Sequence, residues 1–207
     1  MSENIYTVRD YTDLSLIVEK LISKKRFVHS LSVAYTCAFI LDLFKCKNYV
    51  KEYNCISGPI FCGLVHDIGR ELSEENLFNY CKYHKIDLNA EIRENIVLSH
   101  GLVAADMAYS FLPNYPSSWS EAIKYHTTGN DTLDDLGLAL LIADFTEPNR
   151  TFLSSSDRNT IYSNENIYTC ALDVINRMIL HAEKSKKYNV SSYSLKLKLY
   201  LECKLDK

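Results

Sequence analysis

Phe61-Cys62-Gly63-Leu64-Val65-His66-Asp67-Ile68-Gly69-Arg70 decides how this chain is read. An apolar run ends in an adjacent imidazole and carboxylate. Neighbours on a helix point about 100° apart, so His66 and Asp67 can address one metal ion while the second Asp67 oxygen faces another. A His-Asp pair alone arises often by chance. Its weight comes from His29, His100, His126 and Asp144, each of which interrupts what should be the apolar stripe of its own helix.

Working outward, the periodicity predicts helices almost throughout. Asp10 to Lys24 carries Leu14, Ile17, Val18, Leu21 and Ile22 at helical spacing, with Thr12 and Asp13 as caps. A second helix runs from about Lys25 to Lys45, with His29 in line with Val33, Thr36 and Ile40. Asn48 to Asn54 is a polar connection or the start of a third helix. Gly58-Pro59 is a turn or the first turn of the helix that delivers His66. Ser73-Glu74-Glu75 opens a short helix that ends near His84. Asn89 caps a long one reaching Leu112, with His100 on the stripe of Ile96 and Val103, and Pro113 and Pro116 break it. Ser118-Trp119-Ser120-Glu121 reads as a capping box before His126. Thr132 caps the next helix, where Gly137, Leu140, Leu141 and Asp144 share a face and Pro148 is the stop. Ser154 to Asn166 reads as a mobile loop or helix lead-in, and Ile167 to Lys187 as an amphipathic helix. Leu195, Leu197, Leu199 and Leu201 alternate like a strand, but a lone strand has no partner, so the tail is predicted helical. The expectation is one all-α domain over 1–207.

The 207 residues are enough for a substantial core, and a net charge of −3 argues against non-specific nucleic-acid binding. Seven cysteines without a C-x-x-C pair fit neither a zinc ribbon nor a disulfide framework, and read as free thiols in a reducing compartment. No apolar run reaches membrane-spanning length and no signal peptide is visible, so a cytoplasmic protein without membrane partners is expected.

Asp144 is the physical hinge. A buried, unpaired carboxylate costs several kcal/mol, so it must be paired or bind a metal. Four histidines and two aspartates without a thiolate suit iron, manganese or zinc, and Asp67 is the natural bridge between two ions. Two such ions lower the pKa of a bound water and clamp an in-line phosphoryl displacement. Arg26, three residues before His29, Arg70, four after His66, and Arg150, just past the helix of Asp144, supply a positive rim for a polyanion. His84 and His181 sit among charges and read as surface.

With these residues assembled, the chain resembles the HD-domain metallophosphohydrolases, and within them the YqeK-type symmetrical bis(5'-nucleosyl)-tetraphosphatases. The resemblance rests on Arg26-Phe27-Val28-His29-Ser30, Gly63-Leu64-Val65-His66-Asp67-Ile68-Gly69, Leu98-Ser99-His100-Gly101, Ile123-Lys124-Tyr125-His126-Thr127-Thr128-Gly129 and Ile142-Ala143-Asp144-Phe145-Thr146-Glu147-Pro148-Asn149-Arg150. It implies a single HD-type helical bundle with a metal site in its interior, a core of about 25–150 and a helical extension over 151–207. It also implies symmetrical cleavage of diadenosine tetraphosphate to two ADP, by attack of a metal-bound hydroxide on a central phosphorus. The implied cofactor is one or two divalent ions, iron first, with manganese or cobalt as substitutes. His29, His66, Asp67 and Asp144 would hold iron, while His100 and His126 complete a second position or touch phosphate. Asp67, Arg26, His100 and His126 form the implied catalytic set. Arg26, Arg70 and Arg150 would contact phosphates, Phe145 would flank the nucleotide, and Thr127 and Thr128 would orient the loop beside the metals. The family usually has Lys where this chain has Arg70. Its last interhelical turn often carries a nucleotide-contacting His-Pro, whereas Lys187 and Asn189 stand there in this chain. Another HD-type nucleotide phosphohydrolase, or a sensor that binds a nucleotide without turnover, are the alternatives, and homodimerisation stays open.

Overall fold

Helix α8 (Asp135–Thr146) is buried on every side except at Asp144 and Phe145. A helix apolar all round belongs at the centre of a bundle. In the computed structural model, which describes Val8 and residues 10–185 and 189–206, the remaining helices are arranged about it. They are α1 (Tyr11–Leu21), α2 (Lys24–Leu43), α3 (Gly58–Val65), α4 (Glu74–Tyr83), α5 (Ala90–Glu94), α6 (His100–Ala108), α7 (Ser117–Lys124), α9 (Ser155–Tyr162), α10 (Ile167–Ser185) and α11 (Ser192–Leu205). The fold is all-α, as the periodicity predicts. α2, α3, α7 and α10 pack directly on α8, and α11 packs on α10. Leu77, Cys81, Leu88, Ile92 and Val103 form a smaller cluster under α4 and α5. All seven cysteines are free, and Cys37, Cys62, Cys81 and Cys170 are buried as small apolar residues.

The quoted stretch explains the tightest packing. A Cβ on Gly63 would fall 2.3 Å from Ala34 Cα, so only glycine lets α3 press on α2 this closely. That approach brings the His29 and His66 rings to 5.3 Å between centroids.

Several expectations change in detail. Asp10, not Thr12 or Asp13, caps α1, accepting from the backbone amides of both. Asp134, not Thr132, caps α8. α7 begins at Ser117 behind Pro116, and Ser118 makes no capping box. The long helix from Asn89 to Leu112 is broken: α5 stops at Asn95 (φ −132°, ψ 79°), and a 3₁₀ turn over Ile96–Ser99 precedes α6. The Ser99 hydroxyl donates to the Ile96 carbonyl, a local bond that competes with the helical ladder. Asn48 to Asn54 leads into a two-residue hairpin, β1 (Glu52–Tyr53) with β2 (Ile56–Ser57). The stretch read as a mobile loop or helix lead-in contains a helix of its own, α9, started by a capping box between Ser154 and Asp157. The tail is helical, with Leu197 and Leu201 buried and Leu195 and Leu199 exposed.

Candidate metal centre and phosphate cleft

His29 lies within α2, where it projects inward beside α8. The other three histidines stand at helical ends rather than on mid-helix stripes. His66 is the residue after α3, His100 follows the 3₁₀ turn as the first residue of α6, and His126 follows α7. There each ring folds back onto a carbonyl three residues upstream. His66 Nδ1 lies 2.8 Å from the Gly63 oxygen, His100 Nδ1 2.6 Å from Val97 and His126 Nδ1 2.8 Å from Ile123. His29 Nδ1 lies 3.0 Å from Glu147 Oε1. An oxygen opposite Nδ1 makes that nitrogen the donor and leaves the lone pair on Nε2.

All four Nε2 atoms then face the two aspartates. His29 Nε2 is 3.0 Å and His66 Nε2 3.8 Å from Asp144 Oδ1. His66 Nε2 is 3.9 Å from Asp67 Oδ2, while His100 and His126 stand 3.4 and 3.6 Å from Asp67 Oδ1. His29 Nε2 and His66 Nε2 are buried without a hydrogen-bond partner. A buried nitrogen lone pair pointed at carboxylate oxygens is repulsive until a cation lies between them. This donor set therefore fits a divalent metal. Two groups have ligand atoms all within 4.8 Å of one another, His29–His66–Asp144 and His66–Asp67–His126, and they share His66. His100 belongs to neither group and faces His126 Nε2 at 3.2 Å. The Thr127 hydroxyl sits 2.9 Å from His126 Nε2 and 3.2 Å from His100 Nε2.

The electrostatics favour ligands ready for a metal. Burial, opposed by Asp67, takes His66 down to about 4, and burial with the neighbouring His126 takes His100 down to about 3. Burial would raise both aspartates. It is outweighed at Asp67 by His66, His126 and His100, and at Asp144 by His29, His66 and Arg150, leaving both well below the usual carboxylate range. His29 moves the other way, because Asp144 and Glu147 outweigh its desolvation. A neutral His66 imidazole beside ionised Asp67 and Asp144 is the protonation state that metal ligation requires.

Three arginines surround these carboxylates. Arg26 reaches Asp67 Oδ2 and Glu71 Oε1, both at 2.9 Å. Arg70 Nε is 4.0 Å from Asp67 Oδ1, and Arg150 binds the Asp144 side chain and its carbonyl. All three line a cleft of about 870 Å³ with Lys24, Lys25 and Phe152. His29, Asp67, His126 and Asp144 line the same cleft, so these candidate ligands form its floor and the cations its walls.

The structure gathers most of the residues singled out from sequence, but not all. The Thr128 hydroxyl donates to the Gly129 carbonyl, and its side chain lines a different, water-sized space beside Tyr125 and Tyr193. Phe145 stands behind the cleft, edge-to-face against Phe152, which does line it. Asn189 is exposed and not part of the cleft, and Lys187 lies outside the described residues. His84 pairs with Asp106 at 2.8 Å and stacks on Tyr80, away from the centre, and His181 is exposed. Sequence reasoning missed Glu71, Glu147 and Phe152. Glu147 had a usable signal: a carboxylate at the C-terminus of a helix opposes the macrodipole and needs a local cation or donor.

No family model matches the chain. A curated protein, the symmetrical bis(5'-nucleosyl)-tetraphosphatase of Staphylococcus aureus, is 22% identical over 165 residues, which cover 79% of this chain and 80% of the relative. A crystal structure described as a predicted HD superfamily hydrolase involved in NAD metabolism, from Clostridium acetobutylicum, superposes with a TM-score of 0.80. It is 23% identical and covers 94% of this chain and 97% of that one. No helix among the described residues is long and apolar enough to cross a membrane. The chain therefore shares the helical fold of that structure, and within this fold it brings a His/Asp set together.

Proposed function

We propose that this chain is a metal-dependent phosphohydrolase that cleaves dinucleoside tetraphosphates symmetrically, giving two nucleoside diphosphates, with diadenosine tetraphosphate as the reference substrate. The observation that carries this reading is the convergence of four imidazole Nε2 atoms on two carboxylates, Asp67 and Asp144, that line a cation-walled cleft. The likeness to the symmetrical tetraphosphatase of S. aureus supports the choice of substrate.

His29, His66, Asp67, His126 and Asp144 would hold the divalent ions, with iron the first candidate and manganese or cobalt able to substitute. Such ions supply Lewis acidity toward a phosphate oxygen and lower the pKa of bound water. The chain's own groups do the rest. Arg26 and Arg150, each tethered by a carboxylate beside the metal floor, present guanidinium forks to the phosphate oxygens. Arg70 adds a third cation on the same wall. His100 and Thr127 stand beside His126, where a neutral imidazole nitrogen and a hydroxyl can accept hydrogen bonds from the attacking water and orient it.

The balance is simple. One water oxygen bonds to a central phosphorus, the bridging P–O bond breaks, and the bridging oxygen leaves with the other diphosphate. The water's protons go to that leaving group and to solvent. A cleft of about 870 Å³ is within the range of small-molecule sites. The test is a product assay on purified protein supplied with Fe²⁺ or Mn²⁺ under reducing conditions. ADP as the sole nucleotide product from diadenosine tetraphosphate supports the reading. AMP with ATP, or intact substrate, contradicts it.

A further inference from the structure

Resting on that reading of the cleft, we infer that the Phe152 ring is the surface on which a nucleobase of the substrate stacks. Phe152 is 60% exposed, yet it lines the same cleft as Arg26, Arg70 and Arg150. A single exposed phenylalanine is ordinary on a protein surface and needs no explanation by itself. Two further observations set this one apart.

The first is its support. Phe145, at the end of α8, meets Phe152 edge-to-face at 5.3 Å and 63°, so the exposed ring that lines the cleft is braced by a second ring that does not. The second is the loop that carries it. Arg158 on α9 donates to five backbone carbonyls: Thr146 at 2.7 Å, Leu153 at 2.8 Å, Glu147 at 3.0 Å, Pro148 at 3.3 Å and Arg150 at 2.6 Å. One guanidinium therefore fixes the whole segment from the end of α8 to the start of α9. The ring and Arg150 are held in a constant relation, two residues apart. A pre-set aromatic face beside a pre-set phosphate fork spares a ligand much of the ordering cost of binding. Every base offers a π-face, so such stacking gives affinity for the nucleoside end without strong choice among bases.

The same geometry separates two parts of one ligand. The arginines recognise phosphate, which any polyphosphate carries, whereas Phe152 recognises only what a nucleoside adds. The experiment compares ADP with inorganic pyrophosphate on the metal-loaded protein, measuring each dissociation constant by calorimetry for wild type, Phe152→Ala and Phe152→Trp. The expected result is ADP bound about tenfold more weakly by Phe152→Ala, pyrophosphate changed less than about twofold, and ADP affinity restored by Phe152→Trp. Equal weakening of both ligands would mean that the substitution merely loosens the loop, and it overturns the inference. So does unchanged ADP affinity in Phe152→Ala. If the wild type cleaves diadenosine tetraphosphate while either of those results holds, only the stacking role is lost. A wild type that neither cleaves the dinucleotide nor binds ADP removes the hydrolase reading and this inference together.

Discussion

His66, His100 and His126 are oriented by carbonyls three residues upstream, whereas His29 is oriented by Glu147, 118 residues away. The first arrangement is local. A helical segment ends, the ring folds back on its last turn, and Nε2 is left pointing inward. The second exists only after α2 has docked on α8, and it brings a carboxylate. A carboxylate behind an imidazole makes the far nitrogen a stronger donor toward a metal than a carbonyl does. The four-histidine set is therefore built from three positions that the backbone sets and one that the tertiary fold sets.

Substitutions can break this contrast, and the largest effect belongs to the group that faces most of the ring nitrogens. Asp67→Ala removes the carboxylate opposite His66, His100 and His126 and the partner of Arg26. Turnover should fall about a thousandfold or more, and metal should be lost on desalting, with far-ultraviolet circular dichroism unchanged. Unaltered metal content would show that Asp67 holds none.

Gly63→Ala strikes the local device through packing. The added methyl cannot fit against Ala34, so α3 must back away from α2, taking the carbonyl that anchors His66 with it. We expect a loss of about 3 kcal/mol, read from the denaturant midpoint. A neutral effect would show that the two helices are not held this close.

The long-range anchor can be removed by one side chain, as no carbonyl anchor can. Glu147→Gln should weaken metal binding about 10- to 100-fold, by the usual scale for a ligand's outer partner. Metal affinity equal to wild type would reduce Glu147 to a helix-end residue.

The smallest effect concerns Glu71, which fixes the far side of Arg26. The amide and hydroxyl of Ser23 and the Arg26 guanidinium outweigh slight burial and hold its carboxyl below the ordinary 4.5. A carboxyl lowered in the folded state adds stability above its unfolded value, and loses it as pH falls through the lower folded one. The stability gap between wild type and Glu71→Gln should therefore shrink as pH falls from about 5 to about 3, and stay under about 1 kcal/mol because the group is exposed. A gap that widened in acid would reverse the assignment.

This contrast also marks what the sequence could reveal. Helical periodicity located α2, α8 and α10, and polar residues on apolar ground pointed to the side chains that the fold brings together. The local anchors were hidden because they use backbone oxygens, which no residue type advertises. Their consequence at His100, a break between α5 and α6, was hidden too, because Ile96, His100 and Val103 keep helical spacing across it. The helix-end position of Glu147 signalled a need for a partner, but not that the partner is His29, 118 residues away. The hairpin at β1 and β2 turns through Asn54 and Cys55 with φ of 49° and 61°, and a cysteine in that position gives none of the usual glycine signal. Nothing in the sequence marks Phe152, because its segment is held by Arg158 from α9, a helix that polar composition conceals.

The central claim is that these side chains hold divalent metal together, and elemental analysis tests it most directly. Protein reconstituted with Fe²⁺ under reducing conditions and desalted should retain at least about one equivalent of iron per chain, against under about a tenth for Asp67→Ala. Wild-type protein that retains no divalent metal, or a variant that retains as much as wild type, would contradict the account.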